Sequence, residues 1–164
     1  MGLFSLIKIV KAHYRTLLEE SNGYLKVCIL FAILPILISV VLIRSDMFIN
    51  SNMMTTIVSM LAILIGFSIN AVFILIDSYP DETSKDLDLL FEGTRNITLY
   101  SIIFGIFTLF ISGLILVIFI NKGHYIDGIL IKSLSIVVFF TVSHYFVTLL
   151  LLPARLYVIV ETQI

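Results

Sequence analysis

The stretch that decides the fold is "LAILIGFSINAVFILIDSYPDE", residues 61–82. It runs without a charged residue from Leu61 to Ile76 and then becomes acidic, and the same apolar run begins upstream at Thr55. Residues 55–76 are enough to cross the hydrocarbon core of a bilayer, which needs about 20 residues in a helix. Because the hydrophobicity is continuous rather than alternating, the run predicts a transmembrane helix and not a strand of a barrel.

The composition of the whole chain agrees with a membrane protein. Its 164 residues are 60% hydrophobic and 13% charged, and the mean hydropathy is +1.14. A soluble domain is near 45–50% apolar and about 25% charged. We therefore expect an all-α polytopic membrane protein, in which residues 24–164 form a domain of four transmembrane helices. The predicted spans are 24–43, 55–76, 97–120 and 129–152.

The distribution of basic residues predicts the orientation. Lysines and arginines near the span ends favour the cytoplasmic side. One side carries seven of them: Lys8, Lys11, Arg15, Lys26, Lys85, Arg95 and Arg155. The other side carries only Arg44, Lys122 and Lys132. We expect both termini and the loop 77–96 to be cytoplasmic.

Residues 1–23 have the pattern of an amphipathic helix. Leu3, Ile7, Val10, Tyr14 and Leu17 recur at helical spacing. The basic residues Lys8, Lys11 and Arg15 gather on another face, where they are candidates for binding anionic lipid head groups. The segment is expected to lie on the inner leaflet, either as an anchor or as a sensor of membrane state.

Small and polar residues form stripes along the spans. Small residues let helices approach closely, and hydroxyl groups can bond between helices. We expect the stripes to be packing surfaces of a four-helix bundle or of an oligomer of bundles, with the lining of a polar track as the alternative. The second span has Ser59, Ala62, Gly66 and Asn70, and the third has Ser101, Gly105, Thr108 and Ser112.

Asn70 and His144 are the most polar side chains deep inside the predicted spans, away from the span ends. Each is costly in hydrocarbon without a partner, so the two could meet within one bundle or across a subunit boundary. No Asp, Glu, Lys or Arg lies deep in any predicted span. This pattern argues against an ion-coupled transporter, which usually needs such groups at mid-depth.

The loop 77–96 is acidic, and its segment "SKDLDLLFEG" predicts a short helix from a Ser84 cap to a Gly93 stop. It is either a solvated connector or a docking site for a basic cytoplasmic protein. In the docking hypothesis the acidic residues attract the partner, and Leu90 and Phe91 provide the apolar anchor. The acidic residues of that hypothesis are Asp81, Glu82, Asp86 and Asp88.

The sequence offers no catalytic site. Its three histidines, His13, His124 and His144, are far apart and lack the companions of a metal or acid–base motif. We expect no enzyme activity, no cofactor and no metal. The basic residues are too few for direct binding of nucleic acid.

The layout of four spans, cytoplasmic ends, a basic amphipathic start and an acidic inner loop resembles the small membrane subunits of bacterial phage-defence systems. Residues 60–77, "MLAILIGFSINAVFILID", are similar to the second spans of such proteins. The greatest similarity is to the membrane subunit of Kiwa-type systems, with a looser similarity to RexB-type phage-exclusion proteins. The resemblance implies a multi-pass protein of the bacterial inner membrane. It also implies a homo-oligomer, with a tetramer favoured, that works with a cytoplasmic DNA-binding effector.

Two functions are consistent with these features. The first is a membrane sensor and scaffold that recruits a cytoplasmic effector through the acidic loop and the termini. The second is a channel-like oligomer that perturbs membrane permeability. A sealed, apolar interior favours the first function, and a continuous polar track favours the second.

Overall fold

A computed structural model describes residues 3–21, 23–77, 85–122 and 127–161 of the chain. Within these ranges the protein is built from helices, without a strand. The expected all-α architecture is confirmed. Four of the helices are long and apolar enough to cross a membrane, and they follow a separate N-terminal helix.

The helices are as follows. The N-terminal helix α1 is Leu3–Ser21. The first span, Tyr24–Arg44, consists of α2 (Tyr24–Cys28), a π-helical turn (Ile29–Ile33) and α3 (Leu34–Arg44). The second span is α4 (Ser51–Asp77), the third span lies in α5 (Lys85–Lys122), and the fourth lies in α6 (Gly128–Glu161).

The spans pack in an order that differs from their order in the chain. The first span packs on the fourth, the fourth on the third, and the third on the second. Helix α1 packs against α5 and α2 at one end of the molecule. The second span therefore has one principal neighbour, and much of its remaining surface faces outward.

The π-helical turn of the first span has a local cause at Pro35. A proline has no N–H, so the carbonyl of Phe31 lacks the donor that an α-helix would supply four residues later. In this turn the N–H of Leu34 bonds to the carbonyl of Ile29, five residues back. The Phe31 carbonyl is thereby left to accept a hydrogen bond from another helix.

One expected helix end is wrong. Gly93 does not end a short helix, because α5 runs without interruption from Lys85 to Lys122. Packing outweighs the weak helix preference of glycine here, since Gly93 is buried together with Phe91 and Thr94. The fourth helix continues through Pro153 to Glu161. Neighbouring groups in a membrane bundle commonly stabilise such a proline.

Candidate functional site

The C-terminal half of α1 is docked on the membrane-spanning helices. His13, Thr16 and Leu17 are buried and recur at helical spacing on one face. The amide nitrogen of Asn96 in α5 donates to the hydroxyl of Thr16 at 3.4 Å. Helix α1 is therefore attached to the bundle by a polar and aromatic surface, and not only by its apolar residues.

His13 is the most enclosed polar side chain of this contact, with none of its surface exposed. Its ring stacks on Tyr100 with the centroids 3.9 Å apart and the planes 4° from parallel. The rings of Tyr14 and Phe31 meet it edge-on, at 5.1 and 5.7 Å. Neither nitrogen of His13 has a hydrogen-bond partner among the residues that the structure describes.

Burial keeps His13 neutral. Desolvation, followed by the charges of His144 and Arg155, lowers the pKa of His13 from 6.5 to about 3. The docked form of α1 therefore excludes a proton that a free histidine would accept in mildly acidic solution.

His144, in the fourth span, connects three helices by hydrogen bonds. Its Nδ1 donates to the free carbonyl of Phe31 at 2.8 Å. A carbonyl can only accept, so in the neutral ring Nε2 is the acceptor for the hydroxyl of Tyr100, 2.9 Å away. The hydroxyl of Tyr14 in α1 lies 3.5 Å from that of Tyr100 and completes the chain.

We call His13, Tyr14, Phe31, Tyr100 and His144 the His–Tyr junction. It joins α1 to the first, third and fourth spans through stacked rings and one chain of hydrogen bonds. The sequence singled out His144 but missed His13 and Tyr100. The sequence did contain a signal that His13 faces the bundle. His13 is adjacent to Tyr14 and four residues from Leu17, and both of these were already assigned to the apolar face of the helix.

The structure does not bring Asn70 to His144. Asn70 is exposed on the outer surface of α4, whereas His144 is 5% exposed and bonded within the junction. The two side chains do not pair within one chain, because Asn70 lies on the exposed face of α4, whereas His144 is buried.

The stripe of the third span lies in the interior. Ser101, Gly105, Thr108 and Ser112 are all buried. A methyl group at Gly105 would lie 2.8 Å from Cζ of Tyr145 and 2.9 Å from Cγ1 of Ile65. Gly105 therefore allows the second and fourth spans to approach the third closely.

The hydroxyls of this stripe do not bond between helices. Ser101 donates to the carbonyl of Ile97 at 2.9 Å, and Thr108 donates to that of Phe104 at 2.9 Å. These two hydroxyls are thus paired with the preceding turn of their own helix, a common arrangement for Ser and Thr. The hydroxyl of Ser112 is buried without a hydrogen-bond partner among the described residues. This part of the interior is a packed contact, in which Ser101 and Thr108 bond to the backbone of their own helix.

The stripe of the second span has the opposite placement. Ser59, Ala62, Gly66 and Asn70 are exposed, and no atom lies within 4 Å of a methyl group built at Gly66. The expectation that this stripe packs inside the bundle is wrong for a single chain. A neighbouring face packs instead, about 100° around the helix, and contains the bulkier Leu61 and Ile65. Contact with a second copy stays a prediction.

The apolar side chains that were expected to anchor a partner of the acidic segment pack within the chain instead. Phe91 is 4% exposed and packs with Leu75 and Ile159, and Leu90 is half-buried beside them. The proposed role of Leu90 and Phe91 as a free docking face is therefore wrong. The physical reason is that α5 begins at Lys85, so this turn packs against the ends of α4 and α6.

The acidic side chains of that hypothesis fall into two groups. Asp81 and Glu82 lie outside the described residues, as does the side chain of Asp86. Asp88 is half-buried and borders a cavity between α4 and α5.

The basic residues of α1 are exposed, as are the neighbouring apolar Leu6, Ile7 and Val10. Lys8, Lys11 and Arg15 are thus on the outside of the helix, and lipid binding by them stays a prediction. Arg15 also forms two loose ion pairs, with Glu19 at 3.8 Å and with Glu92 of α5 at 3.9 Å.

No group of three potential metal ligands occurs in the described part of the chain. Comparisons with protein-family models, with curated proteins and with solved structures found no match.

Proposed function

We propose that the protein is a sensor and scaffold subunit of a bacterial phage-defence system, embedded in the inner membrane with both termini cytoplasmic. The observation that carries the sensor function is the His–Tyr junction, which makes an amphipathic helix part of the packing of three spans. The resemblance in layout to Kiwa-type membrane subunits supports the role in defence. Helix α1 then reports the state of the membrane surface to the bundle.

In this proposal the N-terminal half of α1 interacts with lipid, and its C-terminal half interacts with the bundle. Leu6 and Ile7 are 46% and 47% exposed, whereas His13 is completely buried. A change in the membrane that moves the N-terminal half of α1 would act on the His–Tyr junction, because both halves belong to one helix.

The scaffold function requires a surface for a basic cytoplasmic effector. The proposed recruiting charges are Asp81, Glu82 and Asp86, with Leu89, 57% exposed, as a neighbouring apolar side chain. The proposed surface for a second copy is the exposed stripe of α4, where small residues would allow close helix contact.

The buried hydroxyls of Ser101 and Thr108 bond to their own helix, so these two side chains give the channel alternative no support. Release of a trapped dye from liposomes that contain the purified protein would favour the channel function over the scaffold function.

Two experiments test the proposal. The first replaces Cys28 by Ser and introduces single cysteines at Ser84 and Asn52. A membrane-impermeant thiol reagent applied to intact cells should label Asn52→Cys and spare Ser84→Cys. Labelling of the Ser84→Cys protein from outside would contradict the orientation and the recruitment of a cytoplasmic partner.

The second experiment measures co-purification of the cytoplasmic product of the adjacent gene. Reversing Asp81, Glu82 and Asp86 to Lys should reduce recovery and make it less sensitive to salt, because such charges act mainly on the association rate. Glu161→Lys is the control, since it reverses an exposed acid outside the segment 81–86, near residue 164. Equal recovery with both variants would reject this segment as the recruiting surface.

A further inference from the structure

A cavity of about 530 Å³ lies between the end of the second span and the beginning of α5. Its apolar wall consists of Val72, Leu75, Ile76 and Leu99, and Phe91 closes one side. Its polar wall consists of Asp88, Glu92 and Arg95. The size is within the range of pockets that hold small molecules, roughly 300–1,000 Å³.

The cavity lies at the level where hydrocarbon gives way to head groups. After Arg95, α5 has no charged residue until Lys122. The intervening 26 residues span about 39 Å, enough to fill a hydrocarbon core of roughly 30 Å. Arg95 is therefore near one boundary of that core, as is Ile76, which precedes Asp77 at the end of α4. The cavity thus straddles the boundary between lipid chains and lipid head groups.

The polar residues of α5 are arranged in a definite order along this boundary. Asp88, Glu92, Arg95 and Leu99 recur at intervals of three or four residues, which places them on one face of the helix. Moving outward from the hydrocarbon, the face presents first an apolar side chain, then a cation and then two carboxylates. Glu92 has half of its side-chain surface exposed and lies 3.9 Å from the guanidinium of Arg15 in α1, and Arg95 is also exposed.

We infer that this cavity is a binding site for a phospholipid with a primary-amine head group, such as phosphatidylethanolamine. From the hydrocarbon outward, such a lipid has acyl chains, then a phosphate, then an ammonium group. The acyl chains lie along Val72 and Leu99, the phosphate meets the guanidinium of Arg95, and the ammonium donates to the carboxylates of Asp88 and Glu92.

The two carboxylates distinguish this lipid from the common alternatives. A phosphatidylglycerol head group has a negative charge and no amine, so the acids repel it. A phosphatidylcholine head group has a quaternary ammonium, which lacks N–H donors and is usually recognised by a cage of aromatic rings. Phe91 does not form such a cage, because it is 4% exposed and packed among Leu75 and Ile159.

The test uses the full-length chain, purified and stripped of lipid, in native mass spectrometry. The protein is titrated with phosphatidylethanolamine, phosphatidylcholine and phosphatidylglycerol that carry identical acyl chains. We expect the ethanolamine lipid to bind about fivefold or more tightly than the other two, the effect of one partly exposed charge contact. Equal affinity for the three lipids, or preference for the glycerol lipid, would overturn the inference.

Separate variants test the apolar wall, the cation and the carboxylates of the site. Val72→Trp fills the apolar half and should abolish the preference, whereas Ile74→Trp, on the exposed surface outside the cavity, should leave it intact. Arg95→Gln should weaken binding of both zwitterionic lipids about equally. The double variant Asp88→Asn, Glu92→Gln should lose the discrimination between ethanolamine and choline while it still binds both. A preference that survives Val72→Trp would place the lipid elsewhere and reject this site.

Discussion

Acidification should release α1 from the bundle, because docking buries His13 in its neutral form. The pKa of His13 is about 3 when docked, against 6.5 for a histidine in water. Between these values the released helix binds a proton that the docked helix excludes. The contribution of His13 to docking is therefore fully present above about pH 6.5 and is lost as the pH falls toward 3.

The size of the effect follows from the same two values. At about pH 5 the ratio of docked to released α1 should fall about thirtyfold relative to neutral pH, which corresponds to roughly 2 kcal/mol. The ionisable groups around His13 are Tyr14 on its own helix, Tyr100 on the third span, and His144 and Arg155 on the fourth. His13→Phe isolates the contribution of His13, since phenylalanine keeps an aromatic ring in the stack and cannot be protonated.

The rate of thiol labelling at Thr16→Cys measures the release. Position 16 is 8% exposed in the docked helix, and Cys28→Ser removes the native thiol. A pyridyl disulfide reagent reacts in acid as well as at neutral pH, and Lys11→Cys, at an exposed position on the same helix, corrects for the reagent's own pH dependence. The corrected rate should rise about thirtyfold between neutral pH and about pH 5. An equal rise in the His13→Phe protein, or a rise below about threefold in the parent, would refute this reasoning.

Three further outcomes are expected. Gly105→Ala should destabilise the purified protein by about 1–3 kcal/mol, because the added methyl overlaps atoms of the second and fourth spans. Gly113→Ala, whose methyl meets open space, should not destabilise it, and thermal unfolding in detergent compares the two variants. Gly66→Leu should leave the thermal stability of the single chain unchanged but reduce oligomers seen by light scattering, and intact oligomers would show that this face is not the contact. Tyr100→Phe should cost about 1–2 kcal/mol in the same unfolding assay, because Nε2 of His144 loses its donor, and no change would mean that the bond contributes little.

The number of spans could be predicted because it depends on a sum over many residues. A single misjudged side chain changes the mean hydropathy of 20 residues only slightly. Four candidate membrane helices were predicted, and the described residues contain four. Helix ends depend on one or two residues, and there the prediction failed. Gly93 has the local signal of a helix stop, but the contacts of Phe91 and Thr94 with the rest of the chain override it.

The buried faces were harder to predict for a related reason. In a soluble helix, polarity distinguishes the inside from the outside, whereas a helix in lipid is apolar on all sides. In α4 the small residues were assigned to the packing face, but Leu61 and Ile65 occupy it. His13 was missed because it lies in the amphipathic helix α1, where a histidine is expected to face water.

The continuity of α5 gives the molecule a mechanical property. Its 38 residues form a rod of about 57 Å with no proline to act as a hinge. A helix resists torsion, so turning the charged turn at Glu92 also turns Tyr100 and Ser112, which lie farther along the same axis. A short helix that stopped at Gly93 would have left a break in the chain that absorbs this rotation. A torque applied to the first turns of α5 is therefore transmitted along the helix axis toward Lys122.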